Sequence, residues 1–187
     1  MLNRTFLYIM LFIVFILLLS MVEPSVMHGV LGAVILTLFK YLDTFVHELG
    51  HYLAGKLMGY PIKLVVIGDR KQLWSADIFG TSFIFCYGFG GLTFIESGKK
   101  ASRLRHSIFA LGGVMFQTSV IGIIYFTLGI GSEHNYYLPL LFIVLNAWTI
   151  IVSLYPRDFV RYGKFYPSDG LLLKRILQAK TPADIGL

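Results

Sequence analysis

The sequence is short of the groups that hold together or solubilise a small secreted domain. It contains one cysteine, Cys86, so no intramolecular disulfide framework can form and nothing argues for an oxidising compartment. It has no internal repeat and no low-complexity linker, which sets aside solenoids and tethered arrays. The glycines of "YGFGG" are not followed by Gly-Lys-Ser/Thr, so they form no phosphate loop and read as a bulged or tightly packed strand. Only 14% of the residues are charged, whereas 56% are apolar. A mean hydropathy of +0.73 is well above that of a soluble domain of this length. The net charge of +6 does not point to nucleic acid as a partner, because the basic residues lie beside apolar spans and not along one soluble face. The implied partner is the lipid bilayer.

Phe6 to Val22 is an almost uninterrupted apolar run, long enough at about 1.5 Å per residue to cross most of a hydrocarbon core about 30 Å thick. It reads as a first transmembrane helix over 5–22. Arg4 ahead of it admits a signal peptide, but the run is long for one and no Ala-x-Ala site follows. A second span, 29–59, closes at Gly59 and Pro61, a glycine able to adopt a left-handed cap and a residue that cannot continue a helix. A third covers 107–130 and a fourth 137–155, ended by Pro156. Between the second and third, residues 62–96 are rich in β-branched and aromatic types, with a turn at "GDRK", and read as two to four short strands. The fold class expected is therefore an all-α polytopic membrane protein with about four transmembrane helices and a small β-rich insertion, one membrane domain over 1–187, with 156–187 as a tail.

Loop charge orients these spans. "EPSVMH" and "GSEHNYY" contain no Lys or Arg, while Arg4, the 56–105 connection and the residues after Pro156 hold nearly all of them. A multi-pass protein of the cell membrane follows, with both termini in the cytoplasm. His47, roughly 27 Å below Gly29 on a straight helix, then lies toward the cytoplasmic side.

The stretch "TFVHELGHYLAGKLMGYP" places three ionisable groups inside that second span. Residues four apart share a helix face, so His47 and His51 can point at one metal ion while Glu48, one step round, reaches a water beside it. This is the zincin spacing. A charged residue near a bilayer centre costs about 2.5 kcal/mol or more on insertion scales, and coordination of a divalent cation offsets that cost. The bland alternative is a polar interhelical seam. Gly50 and Ala54 fit either reading, as a small-residue face for a neighbouring helix. Lys40 and Asp43 form a pair at a spacing of three; alternatively Asp43, four residues before His47, orients that imidazole.

A catalytic metal site needs a third protein ligand. His28 and His134 fall on the outer side, and His106 follows "RLR" at the entry of the third span. Asp169, in "YPSDGLLLKRIL", lies beyond the fourth span on the same side as the "HELGH" half-helix. As a helix cap alone it would open an amphipathic surface helix over 170–179.

With His47, Glu48, Gly50, His51 and the pair Asp169-Gly170 in view, the chain resembles the site-2 protease family of intramembrane zinc metalloproteases, particularly its small bacterial M50B-like branch, from about Val34 to about Leu173. The resemblance implies one zinc ion held by His47, His51 and Asp169, with Glu48 as the general base. It also implies a membrane-bound protein or peptide as substrate and a strand-rich region between the first two core helices. The family's Asn-x-x-Pro is replaced by Ser153, Leu154, Tyr155 and Pro156, so Asn146, two turns earlier, is the stand-in for substrate contact. The gap from Pro156 to Asp169 is longer than in many members. The middle helix has "GGVMFQ" in place of Gly-Pro-x-x-Asn, which offers Gln117 for the amide. The expected activity is hydrolysis of peptide bonds in or near transmembrane segments. The alternative is a zinc-binding membrane protein that cleaves nothing and serves as a transporter element or scaffold.

Overall fold

The computed structural model describes residues 24–95, 102–128, 137–161 and 164–179. The expected first span lies outside these residues. By compactness the chain divides after Phe39. In the first unit the described residues form the N-terminal turns of helix α1 (Pro24–Leu57). Pro24 opens that helix, where its missing N–H has no intrahelical partner to lose. Leu31, Val34, Leu36 and Leu38 are all exposed.

In the second unit the same helix buries Asp43, Thr44, Val46, His47, Glu48 and His51. It closes with Gly59 at φ +77°. Tyr60 N–H donates to Gly55 O at 2.9 Å and Gly59 N–H to Lys56 O at 3.0 Å, the paired bonds that satisfy terminal carbonyls when a glycine turns left-handed. Pro61 follows.

Four strands come next: β1 (Ile62–Ile67), β2 (Gln72–Ile78), β3 (Thr81–Cys86) and β4 (Gly91–Ile95). They form one mixed sheet in the order β2-β3-β1-β4. β1 runs parallel to β3, with Leu64 opposite Ser82, and antiparallel to β4, with Ile67 opposite Gly91. The two-residue connection Phe79-Gly80 has positive φ at both positions, which suits the twist of the β2–β3 hairpin. β1 is central because its side chains are apolar on both faces. Ile62, Val65 and Ile67 of β1 are fully buried with Tyr60, Phe83 and Phe109, and Tyr41, Phe45 and Tyr52 of α1 pack on that cluster.

Helix α2 (Arg103–Leu128) starts under a cap in which Arg105 N–H donates to Ser102 Oγ at 3.3 Å. Helix α3 (Tyr137–Leu154) ends just before Pro156. A second sheet, the hairpin β5 (Asp158–Arg161) and β6 (Lys164–Pro167), precedes helix α4 (Asp169–Gln178). A side chain at Gly50 would run into Gly112 O and meet Phe116 Cβ at 2.7 Å and Gly113 Cα at 2.8 Å. The backbones of α1 and α2 therefore touch where their glycines face each other.

Two expectations need correction. The protein is not all-α with a small insertion: it has a four-stranded mixed sheet and a two-stranded one, and β1 with Phe83 of β3 supplies most of the main core cluster. Alternation and β-branching in 62–95 produce a sheet whose central strand needs cover on both faces, so it becomes a core layer. The expected spans after the first are also not all met among the described residues. Among the described residues only two helices are long and apolar enough to span a membrane, His28–Leu57 and Arg103–Thr127. At the place of the expected fourth span, helix Tyr137–Leu154 offers a shorter apolar stretch, Pro139–Leu154, before the chain turns into β5.

Candidate metal centre

His47 and His51 are successive members of one buried stripe of α1, separated by one helical turn. Their Nε2 atoms are 3.1 Å apart. Asp169, the first residue of α4, joins them from the other end of the chain, with Oδ2 at 3.0 Å from His47 Nε2 and Oδ1 at 3.3 Å from His51 Nε2. One ligand atom from each of the three lies within 4.8 Å of the other two, the one such group of His, Cys, Asp or Glu among the described residues.

The outer nitrogens decide what the inner ones offer. His51 Nδ1 is 2.8 Å from the backbone oxygen of Phe109, and His47 Nδ1 is 2.9 Å from Gln117 Oε1. Both oxygens can only accept, so each Nδ1 donates and each neutral ring turns a bare Nε2 lone pair inward. Asp169 Oδ2 is buried and receives no hydrogen bond despite the nearby His47 Nε2. Two inward Nε2 atoms and a carboxylate with one buried, donor-less oxygen are a ligand set that fits a divalent cation.

Asp169 is carried there by Ser168. Ser168 Oγ accepts from Leu171 N–H at 3.3 Å and from Arg157 N–H at 3.1 Å, and donates to Tyr155 O at 2.8 Å. Ser168 N–H also donates to Arg157 O at 2.8 Å. The β5–β6 hairpin is thus looped out and closed at its base, which leaves Asp169 beside the end of α3 despite the long gap after Pro156. Gly170 packs so tightly against Leu154 O that no Cβ fits.

Glu48 is buried and its carboxylate lies against the edge strand β4. Thr93 Oγ1 donates to Glu48 Oε2 at 2.8 Å. A Cβ on Gly91 would collide with the Glu48 carboxylate, so the glycine of "YGFGG" gives that group its room. α1 also holds the segment before β4, with Thr44 Oγ1 donating to Phe89 O at 2.7 Å. Thr93, Gly91, Phe109 and Ser168 escape a reading of motifs, because backbone carbonyls and strand neighbours carry no spacing signal; only the glycine run hinted at a close approach.

Asp43, Gln117 and Asn146 lie together and are each fully buried. Asp43 pairs with Lys40, Nζ to Oδ2 2.5 Å, and its other oxygen accepts from Gln117 Nε2, also at 2.5 Å. Asn146 Oδ1 accepts from Gln117 Nε2 at 3.3 Å, and Asn146 Nδ2 donates to Phe142 O at 2.9 Å. The amides of Gln117 and Asn146 are therefore directed at protein groups. His106 is buried against the Tyr60 hydroxyl at 2.8 Å, His28 belongs to the first unit, and His134 lies outside the described residues.

Comparison with known proteins adds two findings. The family model described as peptidase family M50 matches residues 33–180. A stretch of 39 residues is 44% identical to a Helicobacter pylori (strain J99 / ATCC 700824) protein named "Putative zinc metalloprotease". That match covers 21% of this chain and spans only 11% of the relative's length.

Proposed function

The chain belongs to peptidase family M50, and from that premise we propose that it is an intramembrane zinc endopeptidase that hydrolyses peptide bonds in or near transmembrane segments of membrane-bound substrates. The observation that carries the proposal is the convergence of two imidazole Nε2 atoms on the Asp169 carboxylate, whose Oδ2 is buried without a donor, with a second buried carboxylate, Glu48, one residue from His47. His47, His51 and Asp169 would hold one zinc ion per chain. When bound, zinc supplies Lewis acidity: it lowers the pKa of water toward neutrality and offsets negative charge that develops on a carbonyl oxygen.

The chain's own groups do the rest. With Oε2 of Glu48 held by the Thr93 hydroxyl, Oε1 takes the proton of the attacking water and returns it to the leaving nitrogen. With their Nδ1 atoms committed outward, His51 and His47 would offer Nε2 as the ligand atom. β4 is an edge strand that runs past Glu48, so an unwound substrate segment that pairs with this edge is presented to Glu48 in extended form. Transmembrane helices must unwind in this way, since their carbonyls are otherwise occupied. α1 and α2 cross the bilayer, and the Lys- and Arg-rich connection between them faces the cytoplasm with the site in the adjacent half of the membrane.

The test is the Glu48→Gln variant, purified and assayed for metal and for cleavage of a co-expressed membrane-bound substrate. Metal retained at wild-type stoichiometry with cleavage abolished is the expected pair of results. Cleavage at the wild-type rate removes Glu48 from the mechanism, and a wild-type protein without metal removes the mechanism altogether. A protein that keeps its metal yet cleaves no membrane substrate in either form favours the scaffold or transporter reading. Proline at Thr93, whose N–H faces away from β1, compared with Thr93→Val, tests the edge: equal cleavage by the two would refute strand pairing at β4.

A further inference from the structure

The amide of Gln117 sits at the meeting point of three helices, and its surroundings leave it one orientation. Its NH2 group faces two acceptors, Asp43 Oδ1 of α1 and Asn146 Oδ1 of α3. Turning the amide over would set its oxygen against the Asp43 carboxylate and its NH2 against the His47 ring proton. The carboxylate is itself anchored, because Oδ2 receives the Lys40 ammonium and lies 2.5 Å from Thr149 Oγ1 of α3. Asn146 cannot turn either, since its NH2 is committed to Phe142 O. What emerges on the far side of Gln117 is a carbonyl oxygen, 2.9 Å from His47 Nδ1. The group is fully buried, so water cannot substitute for any of these partners without an opening of the helix contact.

From this geometry we propose that Gln117, oriented by Asp43 and Asn146, is the positioning residue that fixes His47 in the tautomer offering Nε2 to the metal. The inference rests on the metal site proposed above and goes beyond it by assigning the polar groups of α2 and α3 to holding the ligand. It also gives the Lys40–Asp43 pair a purpose inside an apolar helix. Asp43 reaches His47 through Gln117, one residue removed, and Lys40 keeps the buried carboxylate compensated. Gly113 completes the arrangement: a Cβ there would sit 2.6 Å from the His47 ring, so the "GGVMFQ" stretch both admits the imidazole and supplies its acceptor.

The experiment measures metal affinity by competition with a chromophoric zinc chelator on full-length chains in the Glu48→Gln background, so that activity is not the readout. Gln117→Leu removes the acceptor and is expected to weaken zinc binding by about 10- to 100-fold, the usual loss when the outer partner of a ligating histidine is removed. Gln117→Glu alone sets two carboxylates together and is expected to weaken binding as well. Adding Asp43→Asn to it reverses the pairing of charge and amide: the amide introduced at position 43 donates to the carboxylate introduced at position 117, whose other oxygen still accepts from His47 Nδ1. This swap removes the like-charge contact but leaves a carboxylate oxygen facing Asn146 Oδ1, so it is expected to restore affinity in part, a recovery that a merely space-filling role for Gln117 does not produce, and it keeps the question open to test if the leucine variant fails to fold. Wild-type affinity in Gln117→Leu, or a swap no better than Gln117→Glu alone, overturns the inference. A wild-type chain that takes up no zinc overturns the proposed function instead, so the two failures are distinguishable.

Discussion

Ser168→Ala is the perturbation whose cost can be worked most directly from the structure. The hydroxyl caps α4 through Leu171 N–H and also serves Arg157 N–H and Tyr155 O, all from a nearly inaccessible position. Loss of an N-cap serine costs about 0.5–2 kcal/mol, and a buried backbone group left unpaired about 1–3 kcal/mol. Two contacts survive: the Ser168 N–H bond to Arg157 O, and the packing of Ile176 against Ala110 and Ala179 farther along the helix. The helix should therefore stay docked while its first turn, which carries Asp169, loosens by roughly 2–3 kcal/mol. A metal that requires Asp169 in place must restore that turn on binding, so its dissociation constant is expected to rise about 10- to 100-fold, at 1.4 kcal/mol per decade. Chelator competition on purified protein reads the change, with Ser168→Thr, which keeps the oxygen, as the control expected near wild type. Equal affinities in Ser168→Ala and wild type would refute the idea that closure of the hairpin base is what delivers the third ligand.

Gly91→Ala drives a methyl group into the Glu48 carboxylate; zinc content should be unchanged while turnover falls by on the order of 100-fold, as for a reacting group displaced by about an ångström. Thr93→Val, which deletes the hydroxyl on Glu48 Oε2, should lower the rate less than Glu48→Gln and leave metal affinity intact, and a loss of metal instead would place Thr93 in a different role. Gly50→Ala forces apart the α1–α2 contact at Gly112 and Gly113 and should destabilise the protein by about 1–3 kcal/mol, seen as a lower unfolding temperature in detergent. Treatment with a strong chelator should abolish cleavage, and zinc addition should restore it; recovery without added metal would contradict the ligand set.

Much of the site lies close in sequence and much does not. The pairing of His47 with His51 and the end of α1 at Gly59 follow from local rules, an i, i+4 face and a left-handed glycine before proline, and such rules can be read without knowing the rest of the chain. The strand character of 62–95 is legible for the same reason. Its rank in the fold is not, because whether a strand lies at the centre of a core layer depends on partners that cover both of its faces. The hairpin at 158–167 was hidden in what reads as a basic tail, since four-residue strands carry too little alternation to be seen.

Composition, periodicity and one five-residue pattern thus determined a membrane-compatible chain with two imidazoles and a carboxylate within one turn or so of one helix, at positions 47, 48 and 51. The tertiary structure alone decided that β4 and not another strand lies against Glu48, that Gln117 stands between Asp43 and His47, and that Asp169 is returned to the imidazoles by a serine clasp after a looped-out hairpin. The physical reason is range. Backbone geometry makes residues four apart neighbours whatever surrounds them, whereas the meeting of His47 with Asp169 requires strand order, a helix crossing admitted by facing glycines, and a capped helix start to be satisfied together.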